Sequence, residues 1–214
     1  MDHKQALDAI KAAKEATQKR NFSQSFDLII NLKNLNVKSN PVNVAVAMPN
    51  PTGRSFKVCA FVGQELVEQS NQFCQKTISD SEFADWKGKT KEIKKLAEEY
   101  DFFIAQANVM GKMAGVFGKI LGMKGKMPNP KAGQVVPPNA NLEDLVQRLG
   151  KTVKLVARKA TNLQCIVGKD SMSDEEVAAN IEAVVKAVTK ALPAEDQNVK
   201  KVLLKLTMGK PVTV

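Results

Sequence analysis

Two kinds of predicted β-strand occur in this chain of 214 residues, and together they restrict its fold more than any other feature. Four segments largely alternate apolar and polar residues, which is typical of a sheet with one buried face and one solvent-exposed face: 26–33, 42–48, 153–158 and 199–207. The segments 57–62 and 102–105 are short continuous apolar runs, which favour parallel strands covered by helices on both faces. The alternating strands lie towards both ends of the chain and the continuous strands lie in its middle.

The clearest predicted helix begins after Ser173. Ser173 is a favourable N-cap, Glu176 completes the spacing of a capping box, and Pro193 ends the helical pattern. The helix carries one apolar stripe, made of Val177, Ile181, Val184, Val185 and Val188. A similar stripe near the N-terminus contains Leu7, Ile10 and Ala13. Both helices are therefore expected to cover one face of the alternating sheet.

These patterns predict two domains, one of the α+β class and one of the α/β class. Residues 1–56 and 151–214 together are expected to form a two-layer α+β domain. Residues 57–150 are expected to form an inserted, three-layer, Rossmann-like α/β domain. Its helices are predicted at four positions: 64–76, 81–99, 107–120 and 141–149.

The charge distribution favours a polyanionic partner. The chain has 32 Lys and Arg residues against 22 Asp and Glu residues, a net charge of +10. Acidic residues are absent from four long stretches: 28–64, 102–142, 145–169 and 197–214. The discontinuous terminal domain carries a net charge of +8 and the middle domain only +2. We therefore expect the polyanion to bind the helix-free face of the terminal sheet, while a basic protein without a ligand remains the alternative.

The sequence argues against an enzyme. After the predicted strand 57–62 the turn supplies Gly63 alone, so a dinucleotide fingerprint of the form G-x-G-x-x-G is missing. A phosphate-binding loop of the form G-x-x-x-x-G-K-[ST] is missing too. The single histidine, His3, lies near the N-terminus and provides neither a catalytic triad nor a metal cluster. We expect no catalytic site, no metal site and no cofactor.

Cysteine usage and hydropathy indicate a cytoplasmic protein. The three cysteines, Cys59, Cys74 and Cys165, form no C-x-x-C pair and are expected to be reduced and mostly buried. An apolar run of roughly 20 residues, the length that a membrane helix needs, is not found. A secretory leader is not found either, so the expected location is the cytoplasm and no membrane contact is predicted.

The stretch LGMKGKMPNPKAGQV, residues 121–135, resembles the signature of the L-one family of ribosomal proteins. Its core, Met127 to Lys131, is highly specific. Three further stretches resemble the same family: RNFSQSFDLIINLK at 20–33, CIVGK at 165–169 and TMGK at 207–210. The resemblance covers essentially the whole chain, and the lack of bacterial-style tails makes it more similar to archaeal and eukaryotic members.

This resemblance implies a discontinuous two-domain protein of the large ribosomal subunit. Members of the family bind large-subunit rRNA at the mobile stalk, near the exit site for tRNA, and help tRNA release. In some prokaryotes the same surface binds the messenger of the protein's own operon and represses its translation. The implied partners are therefore large-subunit rRNA, the messenger of its own operon and exit-site tRNA, with a monomer as the free protein.

The resemblance also implies a main RNA-binding site in the terminal domain. The residues that match the family motifs at this site are Arg20, Phe22, Ser25, Thr207, Met208 and Gly209. Three lysines, Lys159, Lys169 and Lys201, are predicted to bind RNA beside them. A hydroxyl of Thr207 or Ser25 can bond a ribose 2′-OH, and Phe22 and Met208 can pack on sugars or bases. Gly209 lets the backbone approach RNA closely. Two alternatives remain from the residues alone: Phe22 as a core aromatic side chain, and Met208 with Gly209 as a plain turn.

The proline-rich stretch 121–138 is predicted to be an extended, cationic loop. Lys124, Lys126 and Lys131 supply its charge. The loop has two interpretations, a structural or hinge-region loop and a secondary RNA contact.

Overall fold

The computed structural model describes residues 3–18, 20–37, 40–157 and 160–214, and for Lys131 it describes the backbone alone. The chain divides into two compact units. The terminal unit consists of Met1–Arg54 and Lys151–Val214, and the inserted unit is Ser55–Gly150. The first boundary lies two residues before the predicted one because Phe56 packs into the core of the inserted unit, with its ring centroid 6.0 Å from that of Phe102.

The described residues form the following helices and strands in chain order: α1 (His3–Glu15), β1 (Ser25–Leu32), β2 (Val42–Ala47), β3 (Val58–Val62), α2 (Val67–Phe73), β4 (Lys76–Ser79), α3 (Phe83–Trp86), α4 (Thr90–Glu99), β5 (Phe102–Gln106), α5 (Met110–Lys124), β6 (Val135–Val136), α6 (Leu142–Gly150), β7 (Thr152–Ala157), β8 (Asn162–Lys169), α7 (Asp174–Ala191), β9 (Val199–Leu206) and β10 (Val212–Thr213). Short 3₁₀ turns occur at Gln64–Leu66, Asp80–Glu82, Ala107–Val109, Pro130–Ala132 and Glu195–Asn198.

The terminal unit is a two-layer α+β structure. Its main sheet is antiparallel with the strand order β10-β9-β1-β8, and β2 pairs with β7 in a second, two-stranded sheet. Strand β1 alternates half-buried and buried residues along its whole length, as its sequence predicted. Its buried residues pack with apolar residues of α1 and α7, including Ile10 and Val184. One face of the main sheet is therefore covered by helices, and the other face, the open face, is not part of this core.

The predicted capping box begins helix α7. The backbone nitrogen of Glu176 donates to the Ser173 hydroxyl at 3.3 Å, and the backbone nitrogen of Ser173 donates to the Glu176 carboxylate at 3.2 Å. These bonds satisfy two amide groups that the first turn of a helix leaves without intrahelical partners. The helix ends at Ala191, two residues before Pro193, as predicted.

The inserted unit is a three-layer α/β structure. Its sheet is parallel with the strand order β4-β3-β5-β6, and β3 is buried at every residue. Cys59 and Phe61 pack into one apolar core, whereas Val58 and Ala60 pack into another on the opposite face. The two cores explain the continuous apolar run of 57–62, because both faces of this strand are covered. The predicted fold classes are confirmed.

Several predicted helix boundaries are wrong. The helix expected at 64–76 is shorter, since α2 spans Val67–Phe73 and β4 already begins at Lys76. The segment 81–99 was expected to be one helix, but it is broken between α3 and α4 at Gly88, whose φ of 88° is left-handed. The loop expected at 121–138 begins later, because α5 continues to Lys124 and ends at Gly125 with a φ of 67°. Local apolar periodicity does not report such left-handed breaks.

The place where doubly wound sheets usually bind ligands is occupied here by a side chain. This place is the topological switch point between the carboxyl ends of β3 and β5. Gln106, which is only 1% exposed, accepts a hydrogen bond from the Gly63 backbone nitrogen at 2.7 Å. Its amide nitrogen donates to Glu65 at 2.9 Å. The glutamine thus ties the turn after β3 to the end of β5.

The three cysteines are free and buried, as predicted. Burial raises the pKa of the Cys165 thiol to about 12 and also raises the pKa of Cys74. Thiolates react, whereas neutral thiols in apolar surroundings are nearly inert, so these residues act as small apolar core groups.

Candidate nucleic-acid interface

The predicted site residues meet where β1 begins and β9 ends. Ser25 is the first residue of β1, and Thr207 directly follows β9. The Ser25 backbone nitrogen donates to the Thr207 hydroxyl at 3.0 Å, and this hydroxyl donates to the Ser25 carbonyl at 3.3 Å. The Thr207 backbone nitrogen donates to the same carbonyl at 3.1 Å. The hydroxyl therefore closes this end of the sheet and keeps one lone pair that can accept another bond.

A buried glutamine connects this corner to the turn that follows. The backbone nitrogen of Met208 donates to the side-chain oxygen of Gln24 at 3.1 Å, and Gln24 is only 4% exposed. Gln24 is held in turn by Asp170, whose carboxylate accepts from the Gln24 backbone nitrogen at 3.0 Å. Sequence patterns did not indicate either residue, because the two are 146 positions apart. We call residues 20–25, 169–170 and 207–209 the rim.

The rim presents two large apolar side chains to solvent. Phe22 is 53% exposed and Met208 is 60% exposed. The alternative interpretation of Phe22 as a core aromatic residue is therefore wrong. Arg20, in the same segment as Phe22, is also exposed. Exposed aromatic and thioether groups beside cations can pack on bases and sugars while the cations face phosphates.

Lys169 lies at the rim and Lys201 lies away from it. Lys169 is the register partner of Ser25, and its aliphatic stem passes Gly53 so closely that a Cβ there would lie 3.2 Å from it. Lys201 pairs with Asn31 at the far end of β1, roughly 20 Å along the sheet from the rim. The predicted site residue Lys159 lies outside the described residues.

The open face of the main sheet extends from the rim towards Lys201. Strand register places Asp27 opposite Lys205 and Ile29 opposite Leu203 on this face. Burial raises the pKa of Asp27, and Lys205 opposes this shift. Lys205 also donates to the Thr207 carbonyl at 3.4 Å. The sequence prediction omitted Lys205, although the alternation of β9 puts it on the face of Lys201.

Gly209 was expected to let RNA approach the backbone closely. The structure shows that its lack of a side chain also makes room for a contact within the protein. Its backbone nitrogen donates to the Leu206 carbonyl at 2.8 Å, which closes the turn after β9. A Cβ at this position would overlap the hydroxyl oxygen of Thr17, which itself donates to the Ala13 carbonyl at 2.8 Å at the end of α1. A side chain at position 209 would therefore require the Thr17 side chain or the turn to shift.

Two of the three cations assigned to the proline-rich stretch, Lys124 and Lys126, have partners within the inserted unit, which favours the structural interpretation of the stretch. Lys124 forms an ion pair with Glu98 at 2.9 Å and lowers the pKa of that carboxyl group. Lys126 donates to the carbonyls of Ala97 and Tyr100 at 2.8 and 2.7 Å, and so satisfies the C-terminal end of α4. The side chain of the third cation, Lys131, lies outside the described part of the chain.

Two other features, a metal-binding cluster and a membrane-spanning helix, are absent from the described residues. Among them, no group of three or more His, Cys, Asp or Glu side chains is arranged to hold a metal ion. None of the described helices is both long enough and apolar enough to cross a membrane.

A profile of the Ribosomal protein L1p/L10e family matches residues 12–210. The chain belongs to this family. The resemblance seen in the motifs is thereby confirmed, and so is the expectation that the chain is not an enzyme, because members of the family are structural ribosomal proteins.

Relatives carry the same similarity over their full length. The chain is 39% identical to the large ribosomal subunit protein uL1 of Methanothermococcus thermolithotrophicus, over 100% of this chain and 99% of the relative. It is 39% identical to the protein of that name in Methanococcus voltae, over 98% and 97% of the two chains. The corresponding protein of Methanocaldococcus jannaschii is 36% identical, over 100% and 96%. These relatives are archaeal, and archaeal members were among those to which the chain was expected to be most similar.

Proposed function

We propose that this protein is a constituent of the large ribosomal subunit that binds large-subunit rRNA through the rim. The observation that carries the proposal is the grouping of exposed Phe22 and Met208 with Lys169 around one hydrogen-bonded corner of the sheet. Apolar side chains that are grouped on an exposed surface often mark a contact with a partner. RNA supplies both the base or sugar faces and the phosphates that such a group contacts.

Electrostatics support the same partner. The segments 1–56 and 151–214 carry +8 of the total charge of +10, so the unit that contains the rim is the basic one. Lys201 and Lys205 extend the positive charge along the open face. Phosphate contacts of this kind set affinity and position, whereas hydroxyl and apolar contacts at the rim set specificity.

The proposal includes the cellular role that the family resemblance implies. The rRNA site lies at the mobile stalk, and the bound protein contacts exit-site tRNA and helps its release. The same rim binds the messenger of the protein's own operon and represses its translation. The free protein is a cytoplasmic monomer. The names of the archaeal relatives, as proteins of the large ribosomal subunit, support the ribosomal part of this proposal.

A competition experiment tests the rRNA site. Binding of the full chain to large-subunit rRNA transcribed from the organism's own gene is measured against random-sequence RNA of equal length. Met208→Asp puts a carboxylate against phosphates and is expected to reduce specific binding at least tenfold. Met123→Asp is the matched control, since Met123 is 68% exposed in the inserted unit. Equal losses for the two variants would contradict a site at the rim.

A salt titration separates charge from recognition in the same assay. Lys201→Ala is expected to weaken binding to both RNAs alike and to reduce the salt dependence by up to about one counterion. Lys169→Ala is expected to do the same. If Lys201→Ala abolished the preference for rRNA while Met208→Asp left it unchanged, recognition would depend on charge placement instead.

The messenger-binding part has its own test. The leader of the operon messenger replaces rRNA in the competition, and a translational reporter fused to that leader is measured with and without the protein. Shared sensitivity of both RNAs to Met208→Asp supports one common site. A leader that binds no better than random RNA would remove the repressor role and leave the rRNA role intact.

A further inference from the structure

An acidic side chain lies inside the cationic rim. Asp170 directly follows Lys169, the last residue of β8. It is the first acidic residue after the acid-free stretch 145–169. A carboxylate near a phosphate-binding surface repels its ligand, so on charge alone this residue weakens the function proposed above. Its contacts show what it does instead.

The carboxylate of Asp170 holds the segment that carries Phe22. One oxygen accepts from the Ser23 hydroxyl at 2.6 Å and the other from the Gln24 backbone nitrogen at 3.0 Å. The Asp170 backbone nitrogen donates to the Gln24 carbonyl at 2.9 Å. The hydrogen bonds from Gln24 and Ser23 lower the pKa of this carboxyl group, so it is a charged acceptor at neutral pH.

The buried Gln24 also holds the second part of the rim, the turn at 207–209. Its side-chain oxygen accepts the backbone N–H of Met208. A continuous series of hydrogen bonds therefore runs from Asp170 through Gln24 to the turn after β9. This series joins three segments that are distant in sequence. Phe22 lies two positions before Gln24 in the chain, and Met208 is the last residue of the series. The side chains of both residues are exposed.

We propose that Asp170 and Gln24 are positioning residues, which hold segment 20–24 and turn 207–209 in the arrangement that specific RNA recognition requires. The inference rests on the proposed RNA-binding function of the rim. A preformed surface binds better because fewer side chains and loop residues have to be ordered on binding. Asp170 thus increases specific affinity although its charge opposes phosphate.

The charge of Asp170 and its positioning role predict opposite changes in RNA affinity when the residue is substituted. Asp170→Asn removes the negative charge and replaces one accepting oxygen with a donor, at nearly constant volume. If the charge alone mattered, this variant would bind every RNA slightly more tightly. The positioning role predicts about tenfold weaker binding to the organism's own large-subunit rRNA, with random RNA unchanged or bound slightly more tightly. Glu175→Gln, the loss of an exposed acid five residues away, is the matched control and is expected to lack this selective loss.

A second test uses a substitution at Ser23 that leaves the net charge of the protein unchanged. Ser23→Ala removes one hydrogen bond to Asp170 and is expected to weaken rRNA binding severalfold with random RNA unaffected. Ser23→Thr keeps the hydroxyl and should restore binding. Thermal unfolding of the same samples shows whether each variant remains folded. Because Ser23→Ala leaves every charge in place, it decides the matter even if Asp170→Asn does not fold.

The outcomes separate this inference from the proposed function. A wild-type protein without preference for rRNA over random RNA would overturn the function itself. A wild-type preference that Asp170→Asn and Ser23→Ala both retain, equal to that of Glu175→Gln, would overturn the positioning role alone. Selective loss in Asp170→Asn together with rescue by Ser23→Thr supports both.

Discussion

The hydroxyl oxygen of Thr207 lies 3.0 Å from the backbone nitrogen of Ser25, a residue 182 positions earlier in the chain. This bond joins the first residue of β1 to the residue that follows β9. An atom expected to recognise RNA is therefore also one that completes the pairing of two central strands. A substitution at Thr207 is therefore expected to change both strand pairing and the proposed RNA recognition, and the two effects have to be measured separately.

Thr207→Val removes the hydroxyl at nearly constant size. We expect the free energy of unfolding to fall by about 0.5–1.5 kcal/mol, since two partly exposed hydrogen bonds to Ser25 are lost. Urea denaturation measures this change. Thr161→Val is the control, because Thr161 is an exposed threonine on the loop before β8. Equal denaturation midpoints for the two variants would show that the Thr207 hydroxyl does not stabilise the strand ends.

Gly209→Ala places a methyl group against the Thr17 hydroxyl. We expect a loss of about 1–3 kcal/mol in the free energy of unfolding, which is typical of overpacking. Thr17→Ala should remove the obstacle, so the double variant is expected to recover most of that loss. A double-mutant cycle by urea denaturation measures the coupling. Strict additivity of the two single changes would rule out this contact as the reason for a glycine at position 209.

Stability should depend on the protonation of Asp170. Hydrogen bonds from Gln24 and Ser23 hold the pKa of this carboxyl group below its ordinary value of 3.8. A lowered pKa in the folded state means that the stabilisation is complete above 3.8 and is lost as the pH falls through the folded pKa. The wild type should thus exceed Asp170→Asn in stability at neutral pH, with a difference that shrinks in acid. Thermal unfolding from pH 7 to pH 2 checks this, and a constant difference would contradict it.

The terminal unit should fold and bind rRNA without the inserted unit. Its two chain segments come together where the Met48 backbone nitrogen donates to the Lys151 carbonyl at 2.9 Å, so a short Gly-Ser linker can join residue 54 to residue 151. We expect this shortened protein to keep specific affinity within about tenfold of the full chain. Gel-shift titration measures it, with residues 55–150 alone as the control. A loss of more than about 3 kcal/mol, over a hundredfold, would place the site in the inserted unit.

Local sequence patterns predicted the elements that depend on neighbouring residues. The alternation of β1, the continuous burial of β3 and the capping box of Ser173 and Glu176 are confirmed, because periodicity and capping act over two to four positions. The sequence also determined the family, through motifs spread over most of its length. It did not predict the break at Gly88 or the extension of α5 to Lys124. Each of these depends on where a single glycine adopts a left-handed conformation.

Only the tertiary structure decided what the site residues touch. It showed that Phe22 is exposed and does not belong to the core. It also showed that the Thr207 hydroxyl is hydrogen-bonded to Ser25 and that Lys126 donates to a carbonyl of α4. It also introduced Gln24 and Asp170, whose partners lie 184 and 146 positions away. A hydrogen bond requires two groups within about 3 Å, and strand pairing over such separations brings together residues that no local periodicity relates. The sequence therefore determined which side chains are available, and the fold determined which of them are exposed at the surface.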